Sequence, residues 1–265
     1  MFRHILKEKK IVVDCFTQDP IAYDYAKIKY GHEAIPQWWK DMPTGVSSSS
    51  EDPLVSIKAC RGLRRYYDRG FVIPLWGDLH IDIMHKGAEF LFKWECSNPN
   101  FSTHGSHNAV GFEGYSKSDG FNIKFTSPWF FKSKSAVEFM MSQPTWSDRE
   151  LSDNMALLPG VLDFKYQYVT NLNFFLRTGT SKKRITLEAG TPLAILHPLT
   201  EDKVIIKNHL VDKREHDRMV QDCKFFSLGN VKQHFSLYNR RKKLFNSIDE
   251  IKVNKLESSC PFKPK

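Results

Sequence analysis

The chain is 265 residues long, 41% hydrophobic and 13% aromatic, with a formal net charge of +9. That much apolar material excludes a chain that is mainly disordered. With a mean hydropathy of −0.44, no apolar run reaches the roughly 18 residues of a membrane helix.

The first residues, MFRHILKEKKIVVDCF, hold a short hydrophobic stretch broken by charge with no small-residue cleavage site after it, so no secretory signal is expected. Within them IVVDCF alternates like a strand. IPQWWKDMP, between prolines, carries Trp38 and Trp39; on a strand one would pack inward and the other face out, and in a loop wrapping the core both would be buried. The Pro43 to Pro53 stretch, with Ser47 to Ser50 inside it, is expected to be a surface loop. From Ile57, IKACRGLRRYYDRG has helical spacing and ends at Gly70.

A β-rich centre follows. FVIPLW, LHIDIM, EFLFKWE, VGFEGY, FNIKFT and PWFFK are short, aromatic or β-branched, and separated by turn residues. After a polar loop around Pro144 to Asn154 come VLDFKYQYV, LNFFLR, RITLEAG, TPLAILHPL and KVIIKNHLV. This spacing predicts a mainly β fold, a barrel, sandwich or β-clip, and not a doubly wound α/β sheet. The end of the chain, from DKREHDRMVQDCKF through LGNVKQHFSLYNRRKKLFNSIDEI, is charged and helical in period, which predicts two helices packed on the sheet or on a neighbouring subunit. The expected organisation is an N-terminal wrap-around segment over 1–70, a β core over 71–210, and a helical appendage with tail over 211–265.

Several residue sets could carry chemistry. Five scattered cysteines, Cys15, Cys60, Cys96, Cys223 and Cys260, form no CxxC pair, so neither a zinc knuckle nor a disulfide framework is indicated. His80 and Asp82 in Gly77-Asp-Leu-His-Ile-Asp would share one strand face. With His197 they would supply the two-His-one-carboxylate set of an Fe(II) oxygenase, and Lys207 could pair with a 2-oxoglutarate carboxylate. Read plainly, His80 and Asp82 are half-exposed strand residues. His104 and His107 fall in a polar loop, and there is no GxSxG elbow, Walker motif or GxGxxG. The basic run Arg240, Arg241, Lys242, Lys243 suits an anion such as a phosphate group. It also suits the C-terminal end of a helix dipole. No recognised nucleic-acid motif accompanies it.

Two resemblances add to this reading. Leu158-Pro-Gly-Val-Leu-Asp163-Phe-Lys-Tyr166 and Ile185-Thr-Leu-Glu-Ala-Gly190-Thr-Pro-Leu-Ala-Ile-Leu-His197-Pro198 resemble two motifs of the dUTPase and dCTP deaminase superfamily. The resemblance implies a β-clip fold and a trimer, with Asp163 on the sugar hydroxyl and attacking water and Tyr166 beneath the deoxyribose of a magnesium-bound deoxynucleotide. The phosphate motif expected after Ser127-Pro-Trp-Phe-Phe-Lys132 reads Ser133-Lys-Ser-Ala-Val-Glu, and no Gly-rich arm ends the chain. The alternative is that Gly160 makes a turn, Asp163 caps it, and Tyr166 packs on the sheet.

Over about Ile57 to Pro198 the chain also resembles a family encoded by large tailed, mostly marine bacteriophages. The matching pattern is Lys58-Ala-Cys60-Arg-Gly62, Phe71-Val-Ile-Pro74, Trp94, Ser127-Pro-Trp129, Gly160-Val-Leu-Asp163 and Ala189-Gly-Thr-Pro192. The expectation drawn is a non-catalytic virion or assembly component without cofactor, in the virion or the host cytoplasm, associating with itself and with other phage structural proteins and not with a membrane. The enzyme alternatives are a dUTPase-like protein using Asp163 and Tyr166, and an Fe(II)/2-oxoglutarate oxygenase using His80, Asp82 and His197.

Overall fold

The computed structural model describes residues 10–46, 54–86, 89–105, 120–144, 146–165, 169–177 and 183–224. Strand β1 (Lys10–Thr17) leads into α1 (Pro20–Tyr25), whose Asp19 cap accepts from the Ile21 and Ala22 N–H groups. After β2 (Lys29–Tyr30) and a 3-10 turn (Gly31–Ala34) comes α2 (Gln37–Asp41). The tryptophan pair is therefore on a short helix, not on a strand or loop. Its direction still separates them: Trp39 is buried and Trp38 is 45% exposed. A small hairpin, β3 (Gly45–Val46) and β4 (Leu54–Val55), precedes a 3-10 turn (Ile57–Ala59) and α3 (Arg61–Arg69), which stops at Gly70.

The centre is strand after strand. β5 (Phe71–Pro74), β6 (Leu79–Lys86), β7 (Glu89–Cys96) and β8 (Thr103–Gly105) lead to β9 (Gly120–Ser133), a single long strand where the sequence suggests two. Pro128, which has no N–H to give a ladder, lies where the register between β9 and its neighbour shifts, and Ser127 Oγ there accepts from the Trp129 N–H. Next come β10 (Glu138–Ser142), α4 (Arg149–Asn154), β11 (Met155–Leu157) and β12 (Gly160–Asp163). The expected polar loop thus contains a helix, started by Asp148 accepting from the Leu151 N–H at 2.7 Å. Then follow β13 (Val169–Arg177), β14 (Lys183–Leu187), β15 (Pro192–Pro198), β16 (Lys203–Leu210) and α5 (Lys213–Lys224).

The fold is mainly β. Three sheets share one apolar core: β11-β13-β9-β1-β16 with β8 beside β9, β12-β10-β15-β5-β2, and β14-β6-β7. Aromatic rings knit them, with Phe71–Phe131 centroids 6.3 Å apart and Phe131–Phe164 4.7 Å, while Phe101 lies 5.3 Å from Trp94 of β7 and 5.2 Å from Phe125 of β9. Each such pair contributes roughly 0.5–1.5 kcal/mol beyond its buried area. β1, expected in a wrapping segment, is internal to the first sheet, antiparallel to β9 and parallel to β16. Its Val13 and Cys15 belong to the same core as Phe71 and Leu196, so 1–70 and 71–210 are not separate packing units. Helix α5 packs on the outer side of this sheet, where Met219 meets Phe16 and Phe130.

The buried carboxylate of Asp19 ties the first helix to the middle of the chain. Its second oxygen accepts from Asn98 Nδ2 at 3.0 Å, which also donates to the Trp76 carbonyl at 3.1 Å. Asn98→Ala would strand a carboxylate only 4% exposed. We expect a loss of about 1–3 kcal/mol, measured as a melting temperature lowered by roughly 2–4 °C per kcal/mol. Arg149→Ala, breaking an exposed pair with Asp153, should change stability by less than about 1 kcal/mol in the same assay.

Candidate functional site

His80 and Asp82 lie where the sequence pattern puts them, on one face of β6, with Leu79, Ile81 and Ile83 buried on the other. That outer face is a row of cross-strand partners: His80 between Thr186 and Glu95, Asp82 between Arg184 and Lys93. His80 Nδ1 is 3.1 Å from Thr186 Oγ1, and Asp82 is 3.8 Å from the Arg184 guanidinium. His197 belongs to β15 in a different sheet, so the structure does not bring the three together. Among the described residues no group of three His, Cys, Asp or Glu side chains could hold a metal. Lys207 is on β16, in the first sheet, beside Asp14 of β1.

His197 is half-buried under α3. Its Nε2 donates to the Tyr66 carbonyl at 2.7 Å, and its ring lies 4.5 Å from the Tyr66 ring. Nδ1 is buried with no hydrogen-bond partner. Burial lowers the His197 pKa, the Tyr66 carbonyl bond acts upward, and Arg69 acts downward. A histidine depressed in the folded state binds fewer protons there than when unfolded. Stability therefore rises with pH through the window between the depressed value and about 6.5, and falls as pH drops through it. We expect the urea midpoint to fall between about pH 7 and pH 5, and to fall less in His197→Gln, which keeps a donor for Tyr66.

Asp163 ends the edge strand β12, opposite Glu138 of β10. Its Oδ1 accepts from the Lys165 N–H at 3.0 Å, closing a turn after the strand and not one made by Gly160. Gly160 is in the strand and not at a turn. β12 and β13 enter different sheets instead of folding back on each other. Tyr166, His107, Cys260 and the basic residues Arg240, Arg241, Lys242 and Lys243 lie outside the described residues.

What the structure does assemble is an apolar strip that the motifs do not announce. Trp39, Tyr67, Val72 and Ile195 pack together, with α2 and α3 covering the β5–β15 half of the second sheet. Among the described residues no helix covers the β10–β12 half: Met140 is 42% exposed, and Val161, its cross-strand partner, 57%. At one end Leu199 donates its N–H to the Glu138 carbonyl at 2.9 Å and is 53% exposed. At the other, Tyr66 Oη donates to the Gln143 carbonyl, and Trp38 Nε1 donates to the Trp146 carbonyl at 3.2 Å. Trp146 is 53% exposed and has φ 59°, a left-handed conformation that costs a bulky residue about 1–3 kcal/mol. The sequence signal for this strip is faint, an apolar residue at the wet position of a strand in both EFMMS and GVLD.

A cleft of about 530 Å³ opens beside it, among Tyr30, His32, Arg69, Glu201 and Lys203. Its Arg69 is held by Glu201 at 3.0 Å and by the Thr200 carbonyl, and that contact keeps the Glu201 carboxyl below its ordinary range.

No protein-family model matches the chain, and no curated protein matches it in sequence.

Proposed function

We propose that the protein is a non-catalytic phage component, belonging to the virion or to its assembly, that works by associating with copies of itself and with other structural proteins. The observation that carries this reading is what the residues of the phage-like pattern do. Lys58 Nζ donates to the Lys40 and Met42 carbonyls, fastening α3 to α2. Phe71 to Pro74 form a buried strand. Trp129 donates its indole N–H to the Ala26 carbonyl inside the core at 2.8 Å. Gly190, at φ 87°, turns the chain so that its N–H reaches the Leu75 carbonyl at 2.8 Å, while the Leu75 N–H reaches Thr191. Asp163 closes a turn. Dispersed over two of the sheets and the turns around them, these residues hold the fold; an enzyme's pattern gathers around a reacting atom.

Mass spectrometry of purified particles should find the chain in stoichiometric copies. Recovery only from the soluble fraction of infected cells would sink the virion assignment. In a thermal-shift series, deoxynucleotides with Mg²⁺ should leave the melting temperature unchanged. Saturable stabilisation by one of them would instead favour the dUTPase-like alternative through Asp163 and Tyr166.

A further inference from the structure

We propose that the β10–β12 strip is the surface through which two copies of the chain meet, related by a two-fold axis near Met140. This rests on the self-association reading and names its site. Trp38, Met140, Trp146, Val161 and Leu199 are each between 42 and 57% exposed. Together they leave on the order of 500 Å² of apolar side chain open to water, at the upper end of what a monomer ordinarily exposes. Doubled by symmetry, that reaches the roughly 1,000 Å² that separates a specific contact from incidental packing.

The two ends of the strip differ in chemistry. At one, Trp146 and Trp38 are exposed, and Trp38 Nε1 donates to the Trp146 carbonyl. At the other is Leu199, beside the cross-strand pair Glu138 and Asp163, and Met140 and Val161 lie between the two. A two-fold axis through the middle lays each tryptophan pair on the partner's Leu199 end, where an indole N–H can meet a carboxylate, and such a contact closes on itself without leading to a fibre. The centre, at Met140 and Val161, is apolar. Edge pairing is the weaker route, because β12 has four residues and follows Pro159. The left-handed backbone of Trp146, which turns its carbonyl to Trp38 and leaves its ring 53% exposed, fits an anchor.

Sedimentation equilibrium of the full chain tests this. The wild type should have the mass of a dimer. Val161→Lys should weaken association at least tenfold, as should Trp146→Gly, in which glycine suits the positive φ and the monomer keeps its fold by circular dichroism. Leu91→Lys, on the outer face of β7 and 45% exposed, should dimerise like the wild type. A dimer that both strip variants leave intact would overturn the assignment of the surface but not self-association. A three-fold mass would overturn the two-fold contact alone. A wild type that stays monomeric at every concentration would overturn both.

Discussion

The parallel ladder between β1 and β16 is the constraint on which the rest of the structure depends. It pairs Lys10 with Lys203 and Thr17 with Leu210, residue by residue. Nearly all of the described chain lies between those two strands, so the sheet is not complete until the chain has returned to its start. Phe16 of β1 then supplies the floor for α5, and Val13 and Cys15 supply part of the core that all three sheets share. Burial of Cys15 raises its thiol pKa well above the ordinary value, as a thiol closed inside that core requires. Such long-range pairing must overcome chain entropy before any contact rewards it, which makes this topology a slow one to assemble.

Edges show how the fold manages exposure. The free side of β16 is occupied by side chains: Asn208 exchanges hydrogen bonds with both backbone groups of Ile28, and Tyr30 Oη accepts from the Ile206 N–H. β7 keeps Lys93 and Glu95 on its wet face. β12 is short and flanked by proline. Each is a recognised way of discouraging strand addition. Against that background an apolar face at Met140 and Val161, left open while neighbouring helices cover Val72 and Ile195, is out of keeping with the rest of the surface.

Period-two alternation made β6, β7 and β14 legible, because in each one face is wetter than the other, whereas β15 reads as a continuous apolar run buried on both faces. It also placed His80 and Asp82 on one face correctly. What alternation does not encode is which strands become neighbours, and the Fe(II) grouping required β6 and β15 to converge; they belong to separate sheets. β10 was illegible for a different reason: EFMMS has a single strand-favouring residue, and its position is fixed by β12 and β15 on either side. The α2 turn escaped because two adjacent tryptophans suggest a strand, whereas Pro36 before Gln37 starts a helix. At Asp163 the sequence suggests a cap on a turn at Gly160, but Gly160 continues the strand and the Asx turn forms two residues further on, with the Lys165 N–H.

Charge follows the same division between scaffold and surface. Residues 225–265 contain nine Lys and Arg against three Asp and Glu, a net of +6 out of the chain's +9. Residues 1–224 are therefore closer to neutral, at +3, and several of their described cations are engaged: Lys58 with carbonyls, Arg69 and Arg65 with Glu201, Arg218 with Glu215. Beneath α5, Lys132 is buried beside Arg218, Asp14 and Glu215, and burial lowers its pKa more than its acidic neighbours raise it. A near-neutral body with an apolar strip meets less repulsion from a like body than the chain's net charge alone would suggest. The proposed self-association and most of the net charge thus draw on separate parts of the sequence.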